Sequence, residues 1–509
     1  MSRPVYTCNL PSITVLESLP PCMRTTIQFT IDVAHLRAGQ FGAACPGGVI
    51  SKMPAKRPLL PRVRSKGCRK RCPKGSIGRG ELRDSVRVQA LLAKDHAKVE
   101  RAVQQSSQPT VHPGLLLTFY RQNFGGVKGI AMKFKAFLLD QWLQQHTDAE
   151  FDLGSSTGPR WSVRELLELT GDSNGAAQRM FDVLLHYAPT AGVATLREAI
   201  AEMQGVPAEE VAVFAGGAEA LFHIFSGAAE PGANVIIPFP CFPAHEALPE
   251  VLGYEIRRYH LRRENLFAVD LDEVQRLADE RTKILIVNSP HNPTGATLSN
   301  EEMRALHDFA AARGIQVVSD EVFHPIYHGP ETDSVARLPH ATVVGDLSKA
   351  LSLGGLRLGW IVERDVGRRT EYLNAREHVT VSNTPMGEFL GEIAIRHHDQ
   401  VLGRTREVTR TNLQLLERVV AQAADVVDWV RPMGGMTAWV RLVAGGDARR
   451  FCEEALHYGL LLAPGDCWGF PDHFRVGFGV GHEWYARAME RFIDVIHTRF
   501  GVARAKTGL

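Results

Sequence analysis

The stretch DLSKALSLGGLRLGW, residues Asp346–Trp360, places a lysine shortly after a β-branched run, Thr342–Val344. Small and apolar neighbours surround Lys349, so we expect its amine to be partly desolvated. Desolvation lowers the pKa of a lysine and leaves more of the neutral amine, which can form a Schiff base with a carbonyl compound. Arg357 follows across a Gly-Gly turn and can bind a phosphate through two parallel hydrogen bonds. A surface lysine is the ordinary alternative, and the apolar setting argues against it.

The segments on either side of this stretch alternate between strands and helices. This alternation, with β-branched apolar strands, predicts an α/β domain whose parallel sheet is covered by helices on both faces. A strand over Trp439–Leu442 and a final helix over Glu483–Phe500 predict a smaller α+β domain. The strands and helices predicted before Lys349 are Val211–Phe214, Glu219–Ala229, Asn234–Pro238, Lys283–Val287, Glu301–Arg313 and Ile315–Ser319.

A glycine pair follows the first of these strands, in AGGAEAL, Ala215–Leu221. The free N–H groups at the start of a helix favour a phosphate, so this segment is a candidate anion site. A simple strand–helix turn would give the same pattern, and both readings stay open for this segment alone.

Two more segments place polar groups where strands end, at the edge where open α/β sheets bind ligands. In NSPHNPTG, Asn288–Gly295, a Pro-Thr-Gly turn should hold the Asn292 amide rigidly. In SDEVFH, Ser319–His324, Asp320 closes a strand, where its carboxylate can pair with a protonated pyridine nitrogen. A turn asparagine and a helix-capping aspartate are the plainer interpretations of the two residues.

In combination these motifs resemble those of the fold-type I pyridoxal 5'-phosphate (PLP) enzymes of the class I/II aminotransferase family. The resemblance covers Met132 to the C-terminus. It implies the fold-type I PLP-transferase architecture: a large α/β domain with a mainly parallel seven-stranded sheet between helices, and a smaller α+β domain. It also implies PLP as the cofactor and amino acids and keto acids as substrates.

The resemblance assigns a role to each matching residue. Lys349 is the catalytic lysine that forms the Schiff base, Asp320 the partner of the pyridine nitrogen, and Asn292 the hydrogen-bond partner of the phenolic oxygen. Gly217 and Ala218 donate backbone N–H groups to the phosphate, Arg357 binds it as a cation, and Ser348 can add a hydroxyl. The resemblance also implies that the Phe242 ring stacks on the cofactor ring and that Arg475, beside Asn292, binds the substrate carboxylate. Tyr187 would reach the phosphate bound by the neighbouring subunit, which implies a homodimer.

Two positions depart from the family pattern. Phe323 stands where the family usually has a tyrosine, whose hydroxyl would reach the phenolic oxygen. Asp346 stands where a serine or threonine usually binds the phosphate. A carboxylate close to a phosphate dianion is repulsive unless it turns away or meets a cation. Both departures concern the tuning of the site rather than its ability to hold the cofactor.

The motifs predict an aminotransferase that acts on an α-amino acid. The same cofactor machinery also serves PLP-dependent β-elimination and cyclisation, so this alternative stays open. The string GDLSKALSLGGLRLGW and the segment SNTP, Ser382–Pro385, resemble the branch of the family that includes capreomycidine synthase, which cyclises a hydroxylated arginine.

Residues 1–131 read poorly as a folded domain, because they hold 21 Lys+Arg against 6 Asp+Glu and a Pro/Gly-interrupted basic run over 52–74. We interpret them as a basic, disordered or spurious extension before Met132. Zinc binding by Cys68 and Cys72 is weakly indicated, since a second ligand pair is missing. A nucleic-acid-binding arm is a second interpretation of the basic run, less favoured than a solvated tail. A fused DNA-binding domain is disfavoured, because no helix-turn-helix pattern is found in residues 1–105. The predicted division of the rest is 132–180 and 396–509 for the small domain and 181–395 for the PLP-binding domain.

The overall composition limits the cellular locations and partners that can be expected for the protein. The net charge is +2, and no apolar run reaches the about 18 residues that a membrane span needs. After residue 131 only Cys241, Cys452 and Cys467 occur. Scattered cysteines and the lack of a signal-peptide pattern predict a location in the reducing cytoplasm. We also expect no membrane partner, no nucleic-acid partner and no metal site.

Overall fold

A computed structural model describes residues 133–501, which all belong to one structural unit of the chain. The predictions for residues 1–131 lie outside these residues. The α-helices are α1 (Leu138–Gln145), α2 (Val163–Glu168), α3 (Ser173–Phe181), α4 (Ala194–Gln204), α5 (Gly217–Gly227), α6 (Pro243–Val251), α7 (Leu271–Leu277), α8 (Asn300–Ala311), α9 (Val366–Glu377), α10 (Pro385–Arg396), α11 (His398–Gln422), α12 (Ala448–Leu456) and α13 (His482–Phe500). The strands are β1 (Phe151–Asp152), β2 (Val211–Phe214), β3 (Asn234–Phe239), β4 (Glu255–His260), β5 (Thr282–Asn288), β6 (Gln316–Asp320), β7 (Ala341–Asp346), β8 (Gly359–Glu363), β9 (Val427–Trp429), β10 (Thr437–Leu442), β11 (Leu460–Leu461), β12 (Ala463–Pro464) and β13 (His473–Gly477).

The seven-stranded sheet has the order β2-β8-β7-β6-β5-β3-β4. Strands β3 to β7 pair in parallel, whereas β8 runs antiparallel to both of its neighbours, β2 and β7. Every residue of β2, β6, β7 and β8 is buried, as is typical of a sheet covered on both faces. The predicted α/β class with a mainly parallel seven-stranded sheet is confirmed.

The predicted bounds of strands and helices differ most from those in the structure where the segments are polar. β4 has the sequence EIRRYH and only one buried residue, so no apolar run marks it. It is one of the two edge strands of this sheet, where charged side chains protect the open hydrogen-bonding edge. The first helix of the described residues begins at Leu138, and Leu139 and Trp142 are the residues that it buries.

A second sheet, of order β12-β13-β10-β9, is antiparallel and belongs to the smaller α+β part of the fold. Its apolar face packs with helices α11, α12 and α13 around a core that includes Phe474, Phe492 and Tyr485. β1, from the N-terminal end of the described chain, pairs in parallel with β11. The segment after β1 is thereby brought next to this sheet.

The strand register of the large sheet places two polar strand ends side by side. Asn288 at the end of β5 is opposite Asp320 at the end of β6, and Asp320 is opposite Val344 in β7. Lys349 follows the end of β7. Because the carboxyl ends of parallel strands share one edge, these groups meet in one crevice. Among residues 133–501, no helix combines the length and apolar character needed to cross a bilayer.

Candidate active site

Main-chain geometry forms an anion cradle at the start of α5. Gly216, which precedes the helix, has a φ of +95°, a conformation that favours glycine. A Cβ atom on Gly359 would lie 2.7 Å from the Gly217 nitrogen, so β8 can approach the start of the helix only through a glycine. Gly217 is buried and Ala218 is exposed. The free N–H groups of a helix start favour an anion here.

Arg357 lies directly beside this cradle. Its Nη2 atom donates to the Ala215 carbonyl at 3.4 Å and would lie 2.8 Å from a Cβ atom on Gly216. Asn383, in the SNTP segment, donates to the carbonyl oxygens of Phe214 at 2.9 Å and Arg357 at 3.2 Å. The asparagine thus holds the backbone on both sides of the cradle, and the exposed guanidinium remains able to reach an anion.

Asp346 lies on the floor of the same region, where its carboxylate would be 3.5 Å from a Cβ atom on Gly217. It accepts a hydrogen bond from the Ser348 N–H at 2.8 Å. Burial raises the pKa of Asp346, although the nearby Lys349 charge acts in the opposite direction. The Ser348 N–H and the nearby Lys349 offset part of the carboxylate charge, which reduces the conflict expected from this departure.

Asp320 is buried and oriented by two hydrogen bonds. The His245 ring nitrogen Nε2 lies 2.8 Å from Asp320 Oδ2, and the Val322 N–H donates to Oδ1 at 3.2 Å. Phe242 is the N-cap residue of α6, three residues before His245, and its ring meets the imidazole edge-on at 5.5 Å. The aromatic ring and the carboxylate therefore belong to one packed unit at the end of β6.

Asn292 joins the two sheets. Its backbone N–H donates to Asn288 Oδ1 at 3.0 Å, and its own Oδ1 accepts from Arg475 Nη1 at 2.9 Å. Asn288 also donates to the Asp320 carbonyl at 2.9 Å. Because Arg475 takes the Asn292 oxygen, the Asn292 amide nitrogen is the group that can donate to a cofactor oxygen.

Arg475 lies in β13 and is only 1% exposed. Its Nη2 atom donates to the Gly154 carbonyl at 2.6 Å, and the guanidinium lies over the Trp468 ring at 5.0 Å. Burial lowers the pKa of Arg475 to about 10, so the group stays positively charged at neutral pH. A buried, oriented cation of this kind suits a carboxylate.

Lys349 extends its amine between these groups and donates to Ser156 Oγ at 2.9 Å. Burial lowers the pKa of Lys349, the charge of Asp346 raises it, and the charge of Arg475 lowers it again. The balance lies below the usual lysine value, as expected from the apolar surroundings in the sequence. More of the neutral amine is therefore present near neutral pH.

The structure thus brings together most of the residues singled out from the sequence, namely Gly217, Ala218, Phe242, Asn292, Asp320, Ser348, Lys349, Arg357 and Arg475. Tyr187 lies apart and is 79% exposed. Phe323 is buried and packs 3.6 Å from the Cβ position of Gly435.

Four contributors were missed in the sequence: Gly154, Ser156, His245 and Asn288. His245 could have been found, since it follows Phe242 by one helical turn and shares its face. Asn288 also had a signal, since it ends an apolar strand next to the one that ends in Asp320. Gly154 and Ser156 had none, because they lie nearly 200 residues before Lys349 and reach it only through the fold.

The chain belongs to the family of class I and II aminotransferases, whose family model matches residues 162–492. Capreomycidine synthase of Streptomyces vinaceus is 29% identical over 376 residues, which cover 73% of this chain and 96% of that enzyme. Arginine–pyruvate transaminase of Pseudomonas aeruginosa is 30% identical over 323 residues, which cover 60% of this chain and 81% of that enzyme. The solved structure of the PLP-dependent cyclase OrfR has a TM-score of 0.67 and 28% identity, and the match covers 72% of this chain and 98% of the cyclase.

The described residues fit PLP, the cofactor of this family. A helix start flanked by an arginine suits its phosphate, a buried carboxylate suits its ring nitrogen, and a lysine of lowered pKa suits its aldehyde. The chain is therefore a PLP-dependent enzyme of the aminotransferase class, as the sequence motifs predicted.

Proposed function

We propose that this enzyme transfers the amino group of an α-amino acid and that Lys349 is the lysine that bonds to the cofactor. One observation carries the proposal: the Lys349 amine lies in a crevice that also contains Asp320, Asn292 and the buried cation of Arg475. Amino-acid transamination needs an amine, a partner for the ring nitrogen and a carboxylate site within reach of one another.

Arg475 binds and orients the substrate. Its guanidinium is already held in place by Asn292, Gly154 and Trp468, so little conformational entropy remains to be lost on binding. The α-carboxylate of the amino acid would share the Nη atoms with these oxygens. The substrate is then fixed at one end, with its Cα–H bond near the Lys349 amine.

Lys349 moves the proton. Its neutral amine, whose share is increased by the lowered pKa, can accept the proton from the substrate Cα and return it to a neighbouring carbon. When bound, PLP supplies an electrophilic carbon for the amine and a ring that withdraws electrons from Cα. Asp320 would keep the ring nitrogen protonated, and His245 orients the Asp320 carboxylate through its hydrogen bond.

The function is tested with full-length enzyme, PLP, pyruvate and a panel of amino acids that includes L-arginine, L-aspartate and L-alanine. We expect at least one donor to yield its keto acid together with the aminated acceptor. Lys349→Ala should abolish this transfer, whereas Lys283→Ala, which removes a lysine paired with Glu230 at the far end of β5, should retain it. Conversion of a donor without any aminated acceptor would contradict transamination.

A second candidate is β-elimination or cyclisation. It is favoured by the similarity to capreomycidine synthase over 96% of that enzyme and by the similarity to a PLP-dependent cyclase structure. Loss of the same Cα proton, followed by departure of a β-substituent, would need no amino acceptor. A β-hydroxylated arginine as the donor distinguishes the two functions, since a cyclic product without pyruvate consumption supports cyclisation.

The active form is proposed to be a homodimer. Phe181, Leu184, Leu185 and Tyr187 are 70–83% exposed in one short segment, and such apolar patches mark interaction sites. Sedimentation should show a dimer that Leu185→Ser weakens, while Leu266→Ser, at an equally apolar exposed position elsewhere, should leave it intact. A wild-type monomer at micromolar concentration would contradict the proposal.

A cytoplasmic location is also proposed. The cysteines of the described residues, Cys241, Cys452 and Cys467, are all free thiols. Burial raises the pKa of each of them, so they are protected structural thiols of the kind that a reducing compartment allows. Fractionation of cells that express the full chain would test this location.

A further inference from the structure

The segment after β1 brings a hydroxyl group to the reactive lysine. Ser156 Oγ lies 2.9 Å from Lys349 Nζ, and Ser156 is only 7% exposed. The two residues are separated by 193 positions in the chain. A hydroxyl both donates and accepts, so it can stay bonded to this nitrogen in the ammonium form and in the neutral amine form.

The position of Ser156 is fixed by contacts that do not involve its own side chain. Asp152 accepts hydrogen bonds from the N–H groups of Gly154 at 3.0 Å and Ser155 at 2.9 Å, and from Ser155 Oγ at 2.5 Å. On the other side, the Gly154 carbonyl accepts from Arg475. The turn that carries Ser156 is therefore tied to the same arginine that is proposed to hold the substrate.

Two glycines, at the end of β13 and two residues beyond it, allow this turn to approach. A Cβ atom on Gly477 would lie 2.2 Å from the Ser155 carbonyl oxygen, and one on Gly479 would lie 2.3 Å from that of Thr157. The backbone of residues 155–157 thus packs directly on the backbone after Arg475. Such a close approach fixes the backbone of Ser156 beside Lys349.

Several charges compete for the Lys349 amine. Asp346, Asp320 and Asp140 attract its ammonium form, and Arg475 repels it. Asp346 lies in the anion cradle, so an amine drawn towards that carboxylate would turn away from the substrate. A neutral hydroxyl on the opposite loop offers a competing partner that adds no charge to the site.

We propose that Ser156 is a positioning residue that holds the Lys349 amine towards the substrate Cα while the lysine is not bonded to the cofactor. This role presupposes the proposed function of Lys349. The hydroxyl oxygen accepts an N–H of the protonated amine and, after the proton has left, accepts an N–H of the neutral amine, so that the nitrogen lone pair stays free for the Cα proton. Neither step changes the charge of Ser156.

The first measurement needs neither cofactor nor turnover. Trace acetylation of the full-length, PLP-free chain with acetic anhydride over a pH series, read by peptide mass spectrometry, gives the pKa of Lys349. Loss of an acceptor for the ammonium form should lower that pKa in Ser156→Ala by about half a unit to one unit. Ser156→Thr keeps the hydroxyl and should restore the wild-type value. Thr157→Ala removes an exposed hydroxyl next in the loop and should leave the pKa unchanged.

The second measurement is the rate of α-deuterium loss from Cα-deuterated L-arginine and L-aspartate by the PLP-loaded enzyme. In Ser156→Ala the rate constant should fall about tenfold with an unchanged KM and a larger isotope effect, since the amine is less well oriented. Ser156→Gly serves as a second variant should Ser156→Ala unfold.

An unchanged Lys349 pKa, or an equal shift in Thr157→Ala, would overturn the role of Ser156. Failure of the proposed function would be recognised separately, by the absence of a borohydride-fixed PLP adduct on Lys349 in the wild type.

Discussion

The two sides of the crevice are built in different ways. On the cradle side, the backbone of Gly216, Gly359 and the start of α5 forms the proposed anion site, and Arg357 adds charge at an exposed position. The other side, which would receive the substrate carboxylate, is called the carboxylate side. There Arg475 is buried and held by side-chain and carbonyl contacts from distant segments. Backbone sites depend on glycine geometry, whereas the buried cation depends on every one of its partners.

This difference predicts how each side fails. A change on the cradle side should weaken cofactor binding and leave the later chemistry intact. A change on the carboxylate side should leave the cofactor bound and weaken substrate binding and orientation. Asp320 and Lys349 lie between the two sides and should affect the chemical step most.

Apart from the loss of Lys349 itself, the largest effect is expected for Asp320→Asn. An amide cannot keep the ring nitrogen protonated, so the rate constant for Cα-proton loss should fall by about 10³-fold, within the range of positioned charged and acid–base groups. Stopped-flow absorbance after mixing with the donor amino acid measures it. Asp399→Asn, at an exposed position of α11, is the control. A rate constant within twofold of the wild type would exclude Asp320 as the partner of the ring nitrogen.

Arg475→Leu should be next. Truncation of a buried, hydrogen-bonded charge costs about 2–5 kcal/mol, which here appears as a fall of about 10²-fold in kcat/KM for L-arginine. The sharper readout is the preference for L-arginine over agmatine, which lacks the carboxylate, and this preference should nearly vanish. PLP binding should persist. The control Arg487→Leu removes an exposed arginine paired with Glu150. A retained preference in Arg475→Leu would place the carboxylate site elsewhere.

Gly216→Ala tests the cradle. The positive φ costs an alanine about 1 kcal/mol or more, and its Cβ would lie 2.8 Å from Arg357 Nη2. We expect the dissociation constant for PLP to rise about tenfold, with an unchanged half-reaction once the enzyme is saturated. In Gly355→Ala the new methyl group meets no atom within 4 Å, so this variant should bind PLP normally. Equal weakening in both variants would contradict a specific cradle.

The smallest effect concerns Asp346 and pH. Burial raises the pKa of Asp346, which lies beside Lys349 and Asp320. The carboxyl group is neutral below that raised pKa and ionises as the pH rises through it. The ionised form repels the PLP phosphate, so wild-type affinity should fall about threefold relative to Asp346→Ser over this rise. Titration of PLP fluorescence at several pH values measures the ratio. A constant ratio would show that Asp346 does not face the phosphate.

The cradle and the strand ends were predictable from the sequence because their signals are local. Gly216–Gly217 between a strand and a helix, Asn292 in NSPHNPTG and Asp320 at the end of an apolar strand each lie within a few residues of the pattern that indicates them. The sheet class followed from the same apolar strands. The edge strand β4 was missed, because charged residues hide its period.

The carboxylate side was harder to predict because its contacts cross long distances in the chain. Arg475 came from a family resemblance, but its contact with Gly154 spans 321 positions and the Lys349–Ser156 contact spans 193. Propensity and periodicity act over one turn or one strand and carry no such information. Tyr187 illustrates a further limit, since its implied partner would belong to a second subunit.

The most direct test of the account is to locate the lysine that bonds to PLP. Full-length enzyme is loaded with PLP, reduced with borohydride, digested and mapped by mass spectrometry. The account predicts a single phosphopyridoxyl adduct, on Lys349, that disappears in Lys349→Ala. An adduct on another lysine, or no adduct in an enzyme that binds PLP, would contradict it.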